Sequence, residues 1–67
     1  MVVLQVNGEE HEIPEGSTVA QLLDLLGVVR ERVAVEVNLH VVRRADHGAH
    51  VLGAGDQVEV VAFVGGG

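Results

Sequence analysis

Gln57-Val58-Glu59-Val60-Val61-Ala62-Phe63-Val64-Gly65-Gly66-Gly67 is the stretch on which the reading of this chain turns. Residues 57–64 are dense in β-branched and aromatic side chains, as a strand requires. They run straight into three glycines with no polar spacer between. Glycine lacks a Cβ and makes no side-chain contacts, so Gly65, Gly66 and Gly67 should form a thin, mobile tether carrying an α-carboxylate. On the strand, Val58, Val60, Ala62 and Val64 share one face, and Glu59, Val61 and Phe63 share the other. The first face should lock into a core. The second should present Val61 and Phe63 beside the tether, and large exposed apolar groups in such a place mark a docking surface. Val61 and Phe63, together with Val64 at the base of the tether, are the candidate docking residues.

The totals bound what can stand behind that strand. Sixty-seven residues allow one small domain with one core. Residues 1–64 should form it, with 65–67 as the tail. The hydrophobic share of 48% supports packing over disorder. Valine dominates it, with one Phe and no Trp or Tyr, which favours a sheet-dominated protein with one helix. Ten acidic residues against four basic ones give a formal net charge of −6. Such a surface repels phosphate backbones and leaves no basic stripe, so no nucleic-acid partner is expected. Basic surfaces on protein partners would attract it. The chain has no cysteine, which excludes disulfides, thiolate metal sites and thiol nucleophiles. Neither a leader peptide nor an apolar run of about 18 residues is visible, so no membrane partner and a cytoplasmic location are expected.

Upstream, residues 1–6 are apolar except Gln5 and read as a strand buried on both faces, hence central in its sheet. Asn7-Gly8 is a strong hairpin signal, because both residue types tolerate the positive φ of a type I′ turn. Residues 9–13 should return antiparallel, their charges marking an edge strand. Pro14-Glu15-Gly16 breaks the ladder. Thr18-Val19-Ala20-Gln21 fits a capping box opening a helix. Val19, Leu22, Leu23 and Leu26 make its apolar stripe, and Gly27 is its stop.

Val33, Val35 and Val37 alternate with Ala34 and Glu36 on a third strand. Asn38-Leu39 turns the chain, with leucine where a type I′ turn prefers glycine, so the turn is either strained or of another type. A fourth strand is expected over residues 40–43, a loop with one helical turn over 45–51, and a turn cluster over 52–56. With the first strand central, the last can lie parallel beside it under a crossing helix. That is the β-grasp arrangement, an α+β fold with a mixed ββαββ(β) sheet.

The chain resembles the ThiS family, small sulfur carriers of thiamine biosynthesis with a ubiquitin-like fold. The resemblance rests on Val6-Asn7-Gly8, on Thr18-Val19-x-x-Leu22-Leu23, and on Val33-Ala34-Val35-Glu36-Val37-Asn38. Most specific is Leu52-x-x-Gly55-Asp56-x-Val58-Glu59-x-Val61 running into the terminal glycines. The chain departs from the family at Leu39, where glycine is common, at Arg43-Arg44, and at His47, which stands where an aromatic is frequent.

What the resemblance implies is a carrier and not an enzyme. A ThiF-like adenylating enzyme, related to those that activate ubiquitin, would use ATP to adenylate Gly67. Sulfur from a donor such as a cysteine desulfurase would then replace the adenylate, giving a C-terminal thiocarboxylate. A ThiG-like thiazole synthase would receive the sulfur. No catalytic residue, bound cofactor or metal is implied in the carrier itself. Gly67 is the covalent attachment point, with Gly65 and Gly66 keeping the tether narrow enough to thread an active site. Carriers for molybdopterin synthesis or tRNA thiolation share this tail chemistry, and a non-carrier β-grasp interaction domain is the reading from a different class.

The remaining polar residues point nowhere else. His11, His40, His47 and His50 lack a matched ligand set and read as solvated loop histidines. Asp24 and Glu9-Glu10 have no partner that would make an acid/base pair. Gly53-Ala54-Gly55 lacks the GxxxxGK[ST] pattern of a phosphate loop. Arg43-Arg44 reads as solvated charge.

Overall fold

The computed structural model describes residues 1–63. Val64, Gly65, Gly66 and Gly67, to which the strand's end and the tether were assigned, lie outside the described residues. Among the described residues, five strands and one α-helix follow in the order β1 (Val2–Val6), β2 (Glu9–Ile13), α1 (Val19–Leu26), β3 (Val33–Val37), β4 (His40–Val42) and β5 (Gln57–Ala62), with 3-10 turns at Arg30–Arg32 and Arg44–Asp46. The strands form one mixed sheet in the order β2-β1-β5-β3-β4. β1 and β5 are parallel, and the other neighbours are antiparallel. This is a β-grasp fold, with the last strand in the middle of the sheet.

Period-2 and period-3.6 patterns meet in a single core. Leu4 and Val6 of β1, Ile13 of β2, Val33, Val35 and Val37 of β3, Val42 of β4 and Val58 of β5 all turn to the helix side of the sheet. There they meet Val19, Leu22 and Leu23, with Leu26 half-buried at the end of the stripe. Eight residues are too few for a helix to persist alone, so α1 depends on this contact.

Its first turn is fully capped. Thr18 Oγ1 accepts from Gln21 N–H, and the Gln21 side chain accepts from Thr18 N–H, completing the capping box. The other free amides are satisfied from a distant loop, Val19 N–H donating to His50 C=O and Ala20 N–H to His47 C=O. Gly27 stops the helix at φ 74°, a left-handed conformation that glycine adopts without a Cβ clash.

Several expectations need correction. β1 is flanked on both edges but is not buried on both faces, because the sheet has a helix on one side only. Val3 is 39% exposed, Gln5 is exposed, and the middle position belongs to β5. β4 ends at Val42, one residue early, leaving Arg43 exposed. Leu52, placed in a turn cluster, is a core residue at 2% exposure.

His47 is not a solvated loop histidine but is 2% exposed. Its Nε2 lies 3.1 Å from Val42 C=O, the arrangement of an Nε2–H donor, while Nδ1 is buried with no partner among the described residues. The ring is packed at a buried position beside the core. His11 and His50 are half-buried and His40 exposed.

The Asn38-Leu39 turn resolves in favour of strain. Asn38 has φ 52° and Leu39 φ 71°, so both occupy the left-handed region, with Leu39 86% exposed. A leucine there pays a steric cost that no burial returns. Leu39→Gly is expected to raise stability by about 0.5–1 kcal/mol, partly offset by glycine's larger unfolded-state entropy. Thermal unfolding should show a Tm increase of roughly 2–8 °C for a domain of this size. A lowered Tm would show that the turn carries no strain.

Candidate functional site

The site is built where the middle strand leaves the sheet. β5 pairs with β3 from Val37↔Val58 to Val33↔Ala62, and Phe63 prolongs the ladder by donating its N–H to Arg32 C=O at 2.8 Å. Alternation along β5 follows the sequence pattern through Val60, but Ala62, expected on the core-locking face, is exposed. Val58 is buried and Val60 half-buried on the helix side, while Glu59, Val61 and Phe63 point to the open face. Val61 is 58% exposed and Phe63 60% exposed. The structure thus brings two of the three expected docking residues to one face. The third, Val64, lies outside the described residues, as do Gly65, Gly66 and Gly67.

The open face is wider than those two side chains. Ala34 stands directly opposite Val61, and Val41 opposite Glu36, so β3 and β4 extend the apolar surface. Val41 is 69% exposed. Glu36 and Glu59, themselves cross-strand partners, divide it, and Glu10 and Glu12 lie on the same face of β2 beside Gln5 and Val3. An uncovered sheet face with valines and a phenylalanine among carboxylates suits a partner with apolar and basic groups. Only the strand order could have added Ala34 and Val41 to the surface, and pairing is not written in any one segment.

The helix face near the same strand end holds a shallow groove of about 310 Å³, lined among others by Asn7, His11, Leu26, Val28, Val60 and Ala62. Nothing in it forms a nucleophile–base pair. Among the described residues there is no group of three or more His, Asp or Glu side chains placed to hold a metal ion. Nor is any helix among them long and apolar enough to cross a membrane. Arg44, read as solvated, has a structural contact, its Nη2 donating to Glu31 C=O at 3.1 Å. Gly53 N–H is held by Asp56 Oδ2 at 2.8 Å, so that loop closes on itself as the entry to β5.

The fold and the exposed strand end define a class, a ubiquitin-like β-grasp domain whose open sheet face flanks its C-terminal exit. Within that class the chain belongs to the ThiS family, whose model matches residues 4–67. Its structure is similar to the crystal structure of the thiamine biosynthesis protein (ThiS) from Geobacter metallireducens. That similarity has a TM-score of 0.84 at 38% identity and covers 98% of this chain and 100% of that one. Two thiazole synthases also contain a similar stretch. The one from Magnetococcus marinus is 50% identical over 64 residues, and the one from Paramagnetospirillum magneticum 44% over 64 residues. In both the match covers 96% of this chain but only 20% of the synthase, so the chain spans about a fifth of those relatives. An uncharacterized protein, ycf40, from Porphyra purpurea is 33% identical over 67 residues, covering 98% of this chain and 93% of that one.

Proposed function

We propose that this chain is a sulfur carrier of thiamine biosynthesis, with the carboxylate of Gly67 as its reactive group. The observation that carries this reading is the family match, which runs over residues 4–67 and so includes the glycine stretch. A carrier needs no catalytic residues of its own, because the acid–base work falls to the enzymes that hold its terminus.

A carboxylate is a poor electrophile. In the first step a Gly67 carboxylate oxygen attacks the α-phosphorus of ATP on an adenylating partner. Pyrophosphate leaves and an acyl-adenylate forms. In the second, a hydrosulfide-level nucleophile from a sulfur donor attacks the carbonyl carbon, AMP leaves, and a thiocarboxylate remains. That group is ionised near neutral pH and is a soft nucleophile, ready to give its sulfur to an acceptor. A thiazole synthase is the proposed acceptor. Support comes from the two thiazole synthases in which a stretch like this chain makes up a fifth of the polypeptide.

Intact mass spectrometry tests the chemistry. After incubation with ATP, a cognate adenylating enzyme and a sulfur source, the chain should gain the mass difference between one sulfur and one oxygen, localised to Gly67. An unchanged mass, with the enzyme active on another carrier, would overturn the reading.

Docking is proposed to fall on Val61 and Phe63. Phe63→Asp should leave the fold intact, since the ring is 60% exposed. Affinity for the adenylating enzyme should fall at least about 10-fold, the usual effect of truncating an aromatic anchor. Titration calorimetry with the purified partner measures it, and an unchanged Kd would remove Phe63 from the interface.

A further inference from the structure

Both hairpin asparagines do more than turn the chain, for each grips β5 with its carboxamide. At the strand's start, Asn38 Oδ1 accepts from Gln57 N–H at 3.0 Å, and its Nδ2 donates to Asp56 Oδ1 at 3.0 Å. Further along, Asn7 N–H donates to Val58 C=O at 2.8 Å as the last backbone rung between β1 and β5. The chain then swings away toward β2. In place of the next rung, the Asn7 side chain accepts from Val60 N–H through Oδ1 at 2.8 Å and donates to Val60 C=O through Nδ2 at 3.1 Å.

A carboxamide carries one acceptor and a donor, the same pair that a peptide unit offers, so it can replace one rung of a ladder. Asp would lose the donor, and Ser or Thr cannot present both groups with that spacing. Asn also suits the turn itself, where φ is 51°. One residue therefore closes the hairpin and prolongs the grip on the neighbouring strand.

We infer that Asn7 is a positioning residue for transfer at the terminus, fixing the last doubly held point of β5 before the exit. This rests on the carrier reading given above. Among the described residues beyond Val60, the strand is held by β3, through Val61 and Phe63. Phe63 lies three residues on, at most about 10 Å along an extended chain, so a 10° swing pivoting at Val60 displaces it by about 2 Å. Misplacement on that scale costs reactions that depend on alignment about 100-fold per ångström in sensitive cases. Because β3 still restrains the strand, a smaller effect is expected here.

Asn7→Gly isolates the clamp, since glycine accepts the turn's positive φ and removes only the carboxamide. Hydrogen exchange should show the Val60 amide opening about 10-fold faster, with Leu4 and Val35 in the core unchanged. In ATP–pyrophosphate exchange with the cognate adenylating enzyme, kcat for the Asn7→Gly chain should fall about 5- to 10-fold, a larger change than that in KM, because the proposed docking side chains Val61 and Phe63 are retained while alignment of the terminus is loosened. A merely structural role would leave kcat unchanged once the chain is folded. An Asn7→Gly kcat equal to the wild type's, or a change confined to KM, overturns the inference alone. Failure of the unaltered chain to be adenylated overturns the carrier reading and this inference with it.

Discussion

Leu22→Asp is expected to leave the chain unfolded at 25 °C. Leu22 is 1% exposed and lies on the helix stripe that closes the core over β1, β3 and β5. Truncating a buried leucine costs about 2–5 kcal/mol, and an unpaired carboxylate in the same place adds several more. A domain of this length has about 3–10 kcal/mol of total stability to lose. The hydrophobic side chains clustered with Leu22 are all aliphatic and offer the charge no partner. Leu25→Asp makes the same chemical change one turn along, at a side chain 64% exposed. Its cost should stay within about 1 kcal/mol, chiefly from placing an acid near the helix C-terminus. Circular dichroism and amide-proton dispersion separate the two variants. A folded, soluble Leu22→Asp chain would mean that the helix does not seal the core.

The second large effect belongs to function. Removing Gly66 and Gly67 should abolish sulfur loading while leaving partner affinity within about twofold of the intact chain. Two extended residues span at most about 7 Å. A carboxylate withdrawn by that distance cannot meet a nucleotide bound by the partner, and alignment losses far smaller than this already cost about 100-fold. The proposed docking residues Val61 and Phe63 remain in place on the sheet, so binding and chemistry should come apart. Binding is read by titration calorimetry and loading by intact mass. Loading that survives the deletion would sink the carrier proposal, as would a loss of binding equal to the loss of loading.

The legible parts of this chain are those whose signal is local. Thr18 and Gln21 form the capping box that their spacing announces, and Gly27 ends the helix in the left-handed region. Val33, Val35 and Val37 are all buried because alternation on a one-sided sheet leaves no other choice. Val61 and Phe63 were found for the same reason.

What escaped notice depends on which elements come together. His47 looks polar in sequence, but the loop that carries it folds under the start of α1, and its carbonyl caps Ala20 there. The family preference for an aromatic near that position was the available sign that the site wants a buried ring. Leu52 was read by its glycine neighbours, although its amide bonds to Ser17 C=O and its side chain joins the core. The apolar run of β1 was mistaken for two-sided burial, since composition cannot say that no second layer exists. Asn7 announced a turn, and its turn was found, but its reach to Val60, fifty-three residues on, is invisible to any short window.

The middle position of β5 has a mechanical meaning. A load applied through Phe63 runs along the strand axis, and the rungs to β1 on one flank and to β3 on the other meet it together, in shear. Were the exit strand at the sheet's edge, the same load could peel its rungs away one after another. If the end of the chain is drawn into a partner's channel, as proposed, this topology aims the pull along the direction in which the domain is least able to unravel.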